Sequence, residues 1–241
     1  MASSEWLDTA SVFDARGFIT IPGLLPAAGL ASLAPVLLCD GAVGGSRCLL
    51  ARAEIAALAV QLAAHPEVRA LVSAEHVAVQ CTYFEKSTDR NWLVPIHQDL
   101  SIPVARRVES ERLRGWSEKE GSIFVQPPVE VLEQLLAVRL HLDDCGEDDG
   151  PLRLVAGSHR LGIVGPERAI AERGARGETT CAARAGDALV MRPLALHASS
   201  KSSGTSRRRV LHFLYGPPTL PEGLDWAVGI RLDAGTHSAE K

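Results

Sequence analysis

The chain has 241 residues and a mass of 25.7 kDa, which suits a single large β-sandwich or barrel domain. Its 46% apolar and 22% charged residues are typical of a folded globular protein and exclude a wholly disordered one. A net charge of −4 gives no general attraction for nucleic acid, and five scattered cysteines without a C-x-x-C pair argue against a disulfide framework or a thiolate zinc site.

The N-terminal part of the chain predicts one strand followed by helices. Phe18–Ile21 alternates as a strand does, whereas the alanine- and leucine-rich segments 27–38 and 54–71 predict two helices around a glycine-rich connector, 41–46. The uncharged run 18–39 is long enough to cross a bilayer, but its three prolines and two glycines break it into shorter elements. We expect a cytoplasmic protein without a membrane partner, because acidic residues replace the basic start of a signal peptide and the cysteine pattern suits a reducing compartment.

From residue 76 the chain changes to short apolar runs punctuated by glycine, proline and aspartate. Such punctuation predicts a sandwich or barrel of short strands rather than strands alternating with helices. The charged segment 106–120, which contains Trp116, interrupts this pattern and is interpreted either as a solvated loop or as a lid over a pocket. The predicted strands are 77–84, 93–102, 136–143, 152–155, 188–196 and 209–215.

The sharpest chemical feature is His97-Gln98-Asp99, within the strand-like run 93–100. Residues two apart on a strand point the same way, so His97 and Asp99 would project together from one face. An imidazole and a carboxylate at one point are two parts of the 2-His-1-carboxylate triad that binds iron(II) and leaves coordination positions open. The motif alone is weak, because such a pair also occurs as an ordinary hydrogen-bonded pair.

The third ligand must be a histidine from a distant strand, and His197 is the best candidate. It ends the apolar run 188–196 and is followed by small polar residues, which suits a ligand at the mouth of a barrel. His141 and His212 remain alternatives on periodicity. His159 belongs to a predicted turn, where a structural hydrogen bond is the expected role.

Arg208 is the centre of three consecutive arginines and follows His197 by 11 residues. Along a strand, Arg208 and His212 share one face, while Arg207 and Arg209 share the other. An inward guanidinium near a metal would bind a carboxylate through two parallel hydrogen bonds. The alternative is a basic strand edge that discourages aggregation, an interpretation that suits Arg207 and Arg209.

Together these segments resemble the phytanoyl-CoA dioxygenase family, whose members are iron(II)- and 2-oxoglutarate-dependent oxygenases. The resemblance spans most of the chain and keeps the order and the spacing of the motifs. One departure is Ala156, where the family usually has proline before Gly-Ser-His; we expect it to affect the rigidity of the turn and not metal binding. The segments that carry the resemblance are 17–25, 80–105, 139–144, 150–152, 156–160, 186–187, and His197 followed by Arg208.

The resemblance implies a mainly β fold with flanking helices around a double-stranded β-helix, the jelly-roll core of cupin-like proteins. It makes the whole chain, 1–241, a single oxygenase domain. An N-terminal strand and helices occupy 1–75, and a C-terminal segment occupies 221–241. The jelly-roll core lies between them at 76–220, with a candidate lid at 103–128.

The same resemblance implies the residues of the site. His97, Asp99 and His197 match the iron ligands of the catalytic centre. Arg208 matches the arginine that pairs with the distal carboxylate of 2-oxoglutarate, and two further residues can assist at the co-substrate. The implied co-substrate residues are Arg208, Ser199 and Gln80.

The implied reaction is hydroxylation of an unactivated C–H bond, with 2-oxoglutarate and oxygen as co-substrates and succinate and carbon dioxide as products. Asp99 favours hydroxylation over halogenation, because relatives that halogenate have a small residue there, which opens a coordination site for halide. Desaturation, epoxidation and ring formation use the same triad and remain open.

The primary substrate is expected to be a small metabolite or a natural-product intermediate. Arg139 and His141 share one face of a predicted strand and would bind a polar or anionic substrate if that face points inward. If it does not, Arg139 is an ion-paired outer residue and His141 a core histidine. The candidate substrate residues are Trp92, Gln98, Arg139 and His141, joined by Trp116 and Gln126 if the charged segment is a lid.

Two other functions remain open from the sequence. A cupin-like metal hydrolase or isomerase would use the same three ligands but neither Arg208 nor 2-oxoglutarate. A catalytically silent jelly-roll binding protein would be expected to have lost one of the ligands. The patterns predict no particular oligomeric state.

Overall fold

The computed structural model describes residues 3–38, 47–204 and 206–232, and its three sheets are built from antiparallel strands. The strands are β1 (Phe18–Ile21), β2 (Val77–Lys86), β3 (Val94–His97), β4 (Ile102–Val104), β5 (Arg114–Lys119), β6 (Ser122–Gln126), β7 (Leu136–His141), β8 (Leu152–Leu154), β9 (Thr179–Cys181), β10 (Ala188–Met191), β11 (His197–Ser199), β12 (Arg208–Gly216) and β13 (Ile230–Arg231).

Helices cover the N-terminal region and connect some of the strands. They are α1 (Ser3–Arg16), α2 (Ala27–Leu38), α3 (Ala53–Ala64), α4 (Pro66–Arg69), α5 (Val129–Leu132) and α6 (Pro166–Arg176), with single 3-10 turns at Leu49–Ala51, Glu147–Asp149 and Ser158–Leu161. Across the described ranges, no helix is both long and apolar enough to cross a membrane.

Three of these helices differ in how well the sequence pattern predicts them. Helix α2 is confirmed at the predicted bounds. The predicted helix 54–71 is divided into α3 and α4, since His65 before Pro66 is extended, as a following proline requires. Helix α1 was not predicted, and the connector 41–46 lies outside the described residues.

Two facing sheets form the jelly roll. The larger has the strand order β1-β10-β7-β12-β2-β13 and the smaller β3-β11-β8-β9, with neighbouring strands antiparallel. Leu189 and Met191 from the larger sheet belong to one buried cluster with Leu152 and Leu154 from the smaller. The predicted fold class, a double-stranded β-helix with flanking helices, is confirmed.

The outer face of the larger sheet packs against α3. Phe213 and Tyr215 of β12 share a core cluster with Leu62 of that helix. The buried Tyr215 hydroxyl donates a hydrogen bond to the Ala59 carbonyl oxygen at 2.9 Å, which satisfies its polar group. Because successive side chains alternate, the remaining residues of β12 point toward the smaller sheet. These inward residues are Arg208, Val210, His212 and Leu214.

A third sheet, of order β4-β6-β5, lies almost entirely within the candidate lid region 103–128. The predicted loop 106–120 is therefore partly wrong, because β5 and β6 form a hairpin closed by a two-residue turn. Glu120 and Gly121 have positive φ angles of 52° and 74° in that turn, as tight hairpins prefer. Away from the turn, Arg112 fixes the segment through an ion pair of 3.0 Å with Glu222.

Candidate metal centre and its cavity

The smaller sheet brings the three predicted ligands together. His97 ends β3 and His197 begins β11, and the two residues are directly paired across these strands. Asp99 follows β3, where its backbone N–H donates to the Pro193 carbonyl oxygen at 3.0 Å. Their ligand atoms all lie within 4.8 Å of one another. The triad is thus assembled by two local features: Asp99 follows His97 by two residues, and His197 pairs with His97 across the sheet.

Backbone hydrogen bonds orient both imidazole rings. Nδ1 of His97 lies 2.9 Å from the Pro95 carbonyl oxygen, and Nδ1 of His197 lies 2.9 Å from the Ala195 carbonyl oxygen. A carbonyl oxygen only accepts, so each Nδ1 must carry the proton. Each Nε2 is left with a lone pair, and both Nε2 atoms lie 3.7 Å from the Asp99 carboxylate.

The electrostatics of the triad suit a divalent cation. Burial lowers the pKa of His197, which keeps its imidazole neutral. For Asp99, desolvation raises the pKa, but His197, His212 and His97 together with Arg139 outweigh it and hold the carboxyl below its usual value. Two imidazole nitrogens and one ionised carboxylate are the donor set of the iron(II) facial triad.

Arg208 points into the space between the two sheets and is only 3% exposed. Its neighbours point out and are neutralised on the opposite face: Arg207 Nε lies 2.9 Å from Glu85, and Arg209 Nη2 lies 2.7 Å from Asp143. The alternation predicted for the three arginines is therefore the one observed. Of these three consecutive arginines, Arg208 is the one that is buried and has no ion pair among the described residues.

The Arg208 guanidinium is only partly satisfied by the protein. Nη1 donates to the Gly150 carbonyl oxygen, whereas the buried Nε has no hydrogen-bond partner. Gly150 has a φ of 63°, and a Cβ there would lie 2.6 Å from the Ser200 oxygen and 3.3 Å from Lys86 Nζ. Only glycine lets the backbone approach this end of the cavity so closely.

Lys86 is a cavity residue that the sequence analysis missed. It pairs directly with Arg208 across β2 and β12 and is 1% exposed. Its ammonium donates to Ser199 Oγ at 2.8 Å and to the Ser200 carbonyl oxygen at 2.6 Å, so one of its three protons remains available. Lys86 lies on the same face of β2 as Gln80, so the alternation along the strand could have predicted that it points inward. A lysine near the end of a strand is, however, ordinarily expected to point into solvent.

The triad and these cations line one cavity of about 380 Å³ between the sheets. Of the predicted site residues beyond the triad, the ones that line it are Arg208, Ser199, Gln80, Trp92, Gln98, Gln126 and Arg139. Two predicted substrate residues do not: Trp116 packs on the apolar cluster beside the cavity, and His141 is buried below the cavity surface with 2% exposure.

The Gln98 amide is fully engaged by the backbone although its side chain lines the cavity. Nε2 donates to the carbonyl oxygens of Gly162 and Leu194 at 2.8 Å each, and Oε1 accepts from the Val164 N–H at 2.9 Å. Both amide protons are therefore taken by the backbone, and the amide oxygen already accepts one hydrogen bond. This geometry indicates that Gln98 positions the segments next to His97 and Asp99.

A row of polar residues crosses the floor of the cavity. Thr82, His212 and Arg139 are direct cross-strand neighbours on β2, β12 and β7. Arg139 Nη1 lies 3.5 Å from His212 Nδ1, and its guanidinium stacks 5.0 Å from the centre of the Phe84 ring. Gln80 Nε2 donates to Thr82 Oγ1 at 2.9 Å. The face with Arg139 is therefore the inner one.

Comparison with known protein families agrees with this geometry. The family model described as phytanoyl-CoA dioxygenase (PhyH) matches residues 13–210, which include all three triad residues and Arg208. A search of curated proteins finds no significant match to the chain.

Several solved structures share the fold at low sequence identity. SnoK, described as a non-heme alpha ketoglutarate dependent carbocyclase from nogalamycin biosynthesis, has a TM-score of 0.67 and 15% identity, covering 90% of this chain and 86% of that one. HygX from Streptomyces hygroscopicus with nickel and 2-oxoglutarate bound has a TM-score of 0.62 and 22% identity, with coverages of 90% and 87%. EctD from S. alaskensis has a TM-score of 0.68 and 20% identity, with coverages of 97% and 85%.

Proposed function

Because the chain belongs to the phytanoyl-CoA dioxygenase (PhyH) family, we propose that it is an iron(II)- and 2-oxoglutarate-dependent oxygenase that hydroxylates a small metabolite or natural-product intermediate. The observation that carries this proposal is the placement of the His97–Asp99–His197 triad and the buried, unpaired Arg208 in one cavity. A hydrolase or isomerase built on the same ligands would have no use for a buried guanidinium there.

The triad residues fit iron(II) through their protonation and orientation. His97 and His197 offer Nε2 because their Nδ1 protons are held by backbone carbonyls, and Asp99 offers an ionised carboxylate. Bound iron supplies the activation of oxygen for attack on a C–H bond, with 2-oxoglutarate as the electron donor. The contribution of the protein is to hold the ligands on one face and leave the other positions open.

The opposite end of the cavity fits the distal carboxylate of 2-oxoglutarate. Arg208 lines the cavity with a guanidinium of which only Nη1 donates to the backbone, and Lys86 offers its third proton beside Ser199. Buried cations without a carboxylate cost several kcal/mol each in protein stability, so their retention indicates a ligand that neutralises them. Gln80 lies on the same strand and lines the cavity further along β2.

The surrounding walls restrict the substrate to small molecules. A cavity of about 380 Å³ is near the lower end of the range for small-molecule sites, and 2-oxoglutarate occupies part of it. Trp92 and Gln126 contribute to its walls, and their apolar and amide groups would exclude water and orient the substrate. HygX has been crystallised with hygromycin B bound. The epimerase SnoN, another solved structure that shares the fold, has been crystallised in complex with nogalamycin RO, and both ligands support a natural-product substrate here.

The proposal is tested by adding iron(II) and then 2-oxoglutarate to the metal-free protein without oxygen. We expect the weak visible charge-transfer band of the chelate, and release of succinate when oxygen is admitted. His197→Ala should lose the band. His65→Ala is the matched control, because His65 lies at the junction of α3 and α4, outside the cavity.

Each result assigns one of the functions considered above. Iron binding without the band would favour a metal hydrolase or isomerase. Failure to bind iron would leave a jelly-roll binding protein and contradict the proposal. A band that persists in His197→Ala would remove His197 from the ligand set.

A further inference from the structure

Arg139 is the one buried cation of the cavity that the proposed function does not use. It is 7% exposed, and no carboxylate lies within ion-pair distance of it in residues 3–38, 47–204 and 206–232. Its contacts are a 3.5 Å approach to His212 Nδ1 and the face of Phe84. Neither contact neutralises its charge, although both hold the guanidinium in place.

The register of the sheet separates Arg139 from the co-substrate position. Arg208 pairs with Lys86, whereas Arg139 pairs with His212, four residues further along β12. Four residues of strand correspond to about 13 Å between the two rows of Cα atoms. Arg139 thus belongs to a second row of the cavity floor, separate from the pair assigned to the distal carboxylate.

The charges inside the cavity indicate what that second row binds. Lys86, Arg139 and Arg208 are buried cations on the larger sheet, and Asp99 is the carboxylate that faces them from the triad. Iron(II) and 2-oxoglutarate carry equal and opposite charges, so binding both leaves the excess of positive charge unchanged. The exposed Lys119 also lines the cavity and adds one more positive charge. Arg47 adds none, because it is paired with Glu120 at 3.5 Å.

We propose, on the basis of the function proposed above, that the primary substrate is anionic and that Arg139 binds its acidic group through charge-assisted hydrogen bonds. A carboxylate fits the planar guanidinium fork, whose orientation is fixed by His212 and Phe84. The walls next to it are apolar, with Leu214, Met191 and Phe124 lining the same cavity. The substrate class is therefore a small apolar body that carries one acidic group.

Benzoate and benzamide are matched probes, because they share shape and apolar body and differ in charge. They are titrated by calorimetry into the full chain loaded with nickel(II) and 2-oxoglutarate, since nickel does not turn over. We expect wild-type protein to bind benzoate more tightly than benzamide by roughly 10- to 100-fold. Arg139→Met should remove this preference, and Arg139→Lys should restore part of it.

Two further measurements separate substrate binding from other roles of Arg139. The affinity for 2-oxoglutarate should change by no more than about twofold in Arg139→Met. The melting temperature of the metal-free variant should rise, because an unpaired buried charge is removed. A residue that serves the fold alone would instead lower the melting temperature when replaced.

Several results would overturn the inference. Wild-type protein that binds no benzoate, or prefers it no more than benzamide, excludes an anion position. A loss of 2-oxoglutarate affinity equal to the loss of benzoate affinity would assign Arg139 to the co-substrate. If wild-type protein did not bind 2-oxoglutarate at all, that result would instead contradict the proposed function. The two failures are distinguishable, because 2-oxoglutarate binding is measured before benzoate or benzamide is added.

Discussion

Lys86 and Arg208 show how much of the site depends on single buried charges. Each lies inside the protein opposite the other, and neither has an ion-pair partner among the described residues. Burial lowers the pKa of both side chains. Burial, followed by the charges of Arg208 and Arg139, lowers the pKa of Lys86 to about 8, which is close to physiological pH.

We expect Lys86→Met to weaken 2-oxoglutarate binding to nickel-loaded protein by roughly 10- to 100-fold, the effect of losing a hydrogen bond to a charged group. The Lys86 ammonium is charged below its pKa of about 8 and neutral above it. Wild-type affinity should therefore fall as the pH rises through that value. Calorimetric titration on both sides of it measures the fall.

The control for this experiment is Lys119→Met, which removes an exposed lysine at the mouth of the same cavity. It should leave the pH profile of 2-oxoglutarate binding as in wild-type protein. If Lys86→Met kept the wild-type pH profile, Lys86 would not be the titrating group at the co-substrate.

Gln98 is expected to act on stability. Gln98→Ala leaves two carbonyl oxygens and one N–H without their partner, at about 1–3 kcal/mol for each buried group. Urea unfolding should show a clear loss of stability. Gln98→Glu keeps the acceptor and removes both donors, so it should also destabilise the protein. A full-stability Gln98→Ala variant with altered substrate binding would return Gln98 to the substrate residues.

At the scale of elements, the hairpin of β5 and β6 forms one side of the cavity mouth. Lys119 and Gln126 line the cavity from the hairpin, and Arg47 lines it from the facing segment. The turn is joined to that segment by a hydrogen bond of 2.7 Å from the Arg47 backbone N–H to Glu120 Oε2. This contact joins the turn to a second cavity-lining segment, so it would act as a latch if the hairpin moved as a lid.

Glu120→Ala tests the lid at this contact without removing a strand. An exposed pair contributes less than about 1 kcal/mol, so we expect 2-oxoglutarate to dissociate faster by no more than about fivefold. Hydrogen exchange in the β5–β6 turn should also become faster. Glu118→Ala, which removes an exposed carboxylate two residues earlier on β5, is the control. If neither rate changes, the hairpin is a fixed wall of the cavity.

The sequence predicted the parts of the site that depend on local alternation and missed those that depend on pairing. His97, Asp99 and Arg208 point inward because the strand period of two requires it. The burial of Lys86 follows from its register with Arg208 on a strand more than a hundred residues away, which no local pattern contains. His141 was predicted at the cavity from the strand face that it shares with Arg139, and Trp116 from the charged segment interpreted as a lid, but neither side chain lines the cavity.

At the scale of the whole molecule, the inner face carries histidines that must stay neutral for the protein to remain folded. Burial is the main cause that lowers the pKa of His141 to about 3 and of His212 to about 4, and Arg139 lowers both further. Below the ordinary histidine pKa, the unfolded chain binds protons that the folded chain does not. Folding stability must then decrease as the pH falls.

We expect metal-free protein to lose stability between pH 6.5 and about pH 4, by about 1.4 kcal/mol per pH unit for each such histidine. His141→Asn should reduce this slope by the contribution of one proton. The measurement is urea unfolding of wild-type protein and variant across that range. Parallel curves for the two proteins would contradict the assigned role of His141.

The alternation of Arg207, Arg208 and Arg209 also bears on how reliably the sheet assembles. If β12 slipped by one residue between β2 and β7, two guanidinium groups would turn inward and one would turn out. Glu85 and Asp143 would lose their partners at the same time. A one-residue slip in either direction therefore has two costs, an extra buried guanidinium and two lost ion pairs. The three consecutive arginines thus disfavour the two alignments of β12 that differ from the native one by a single residue.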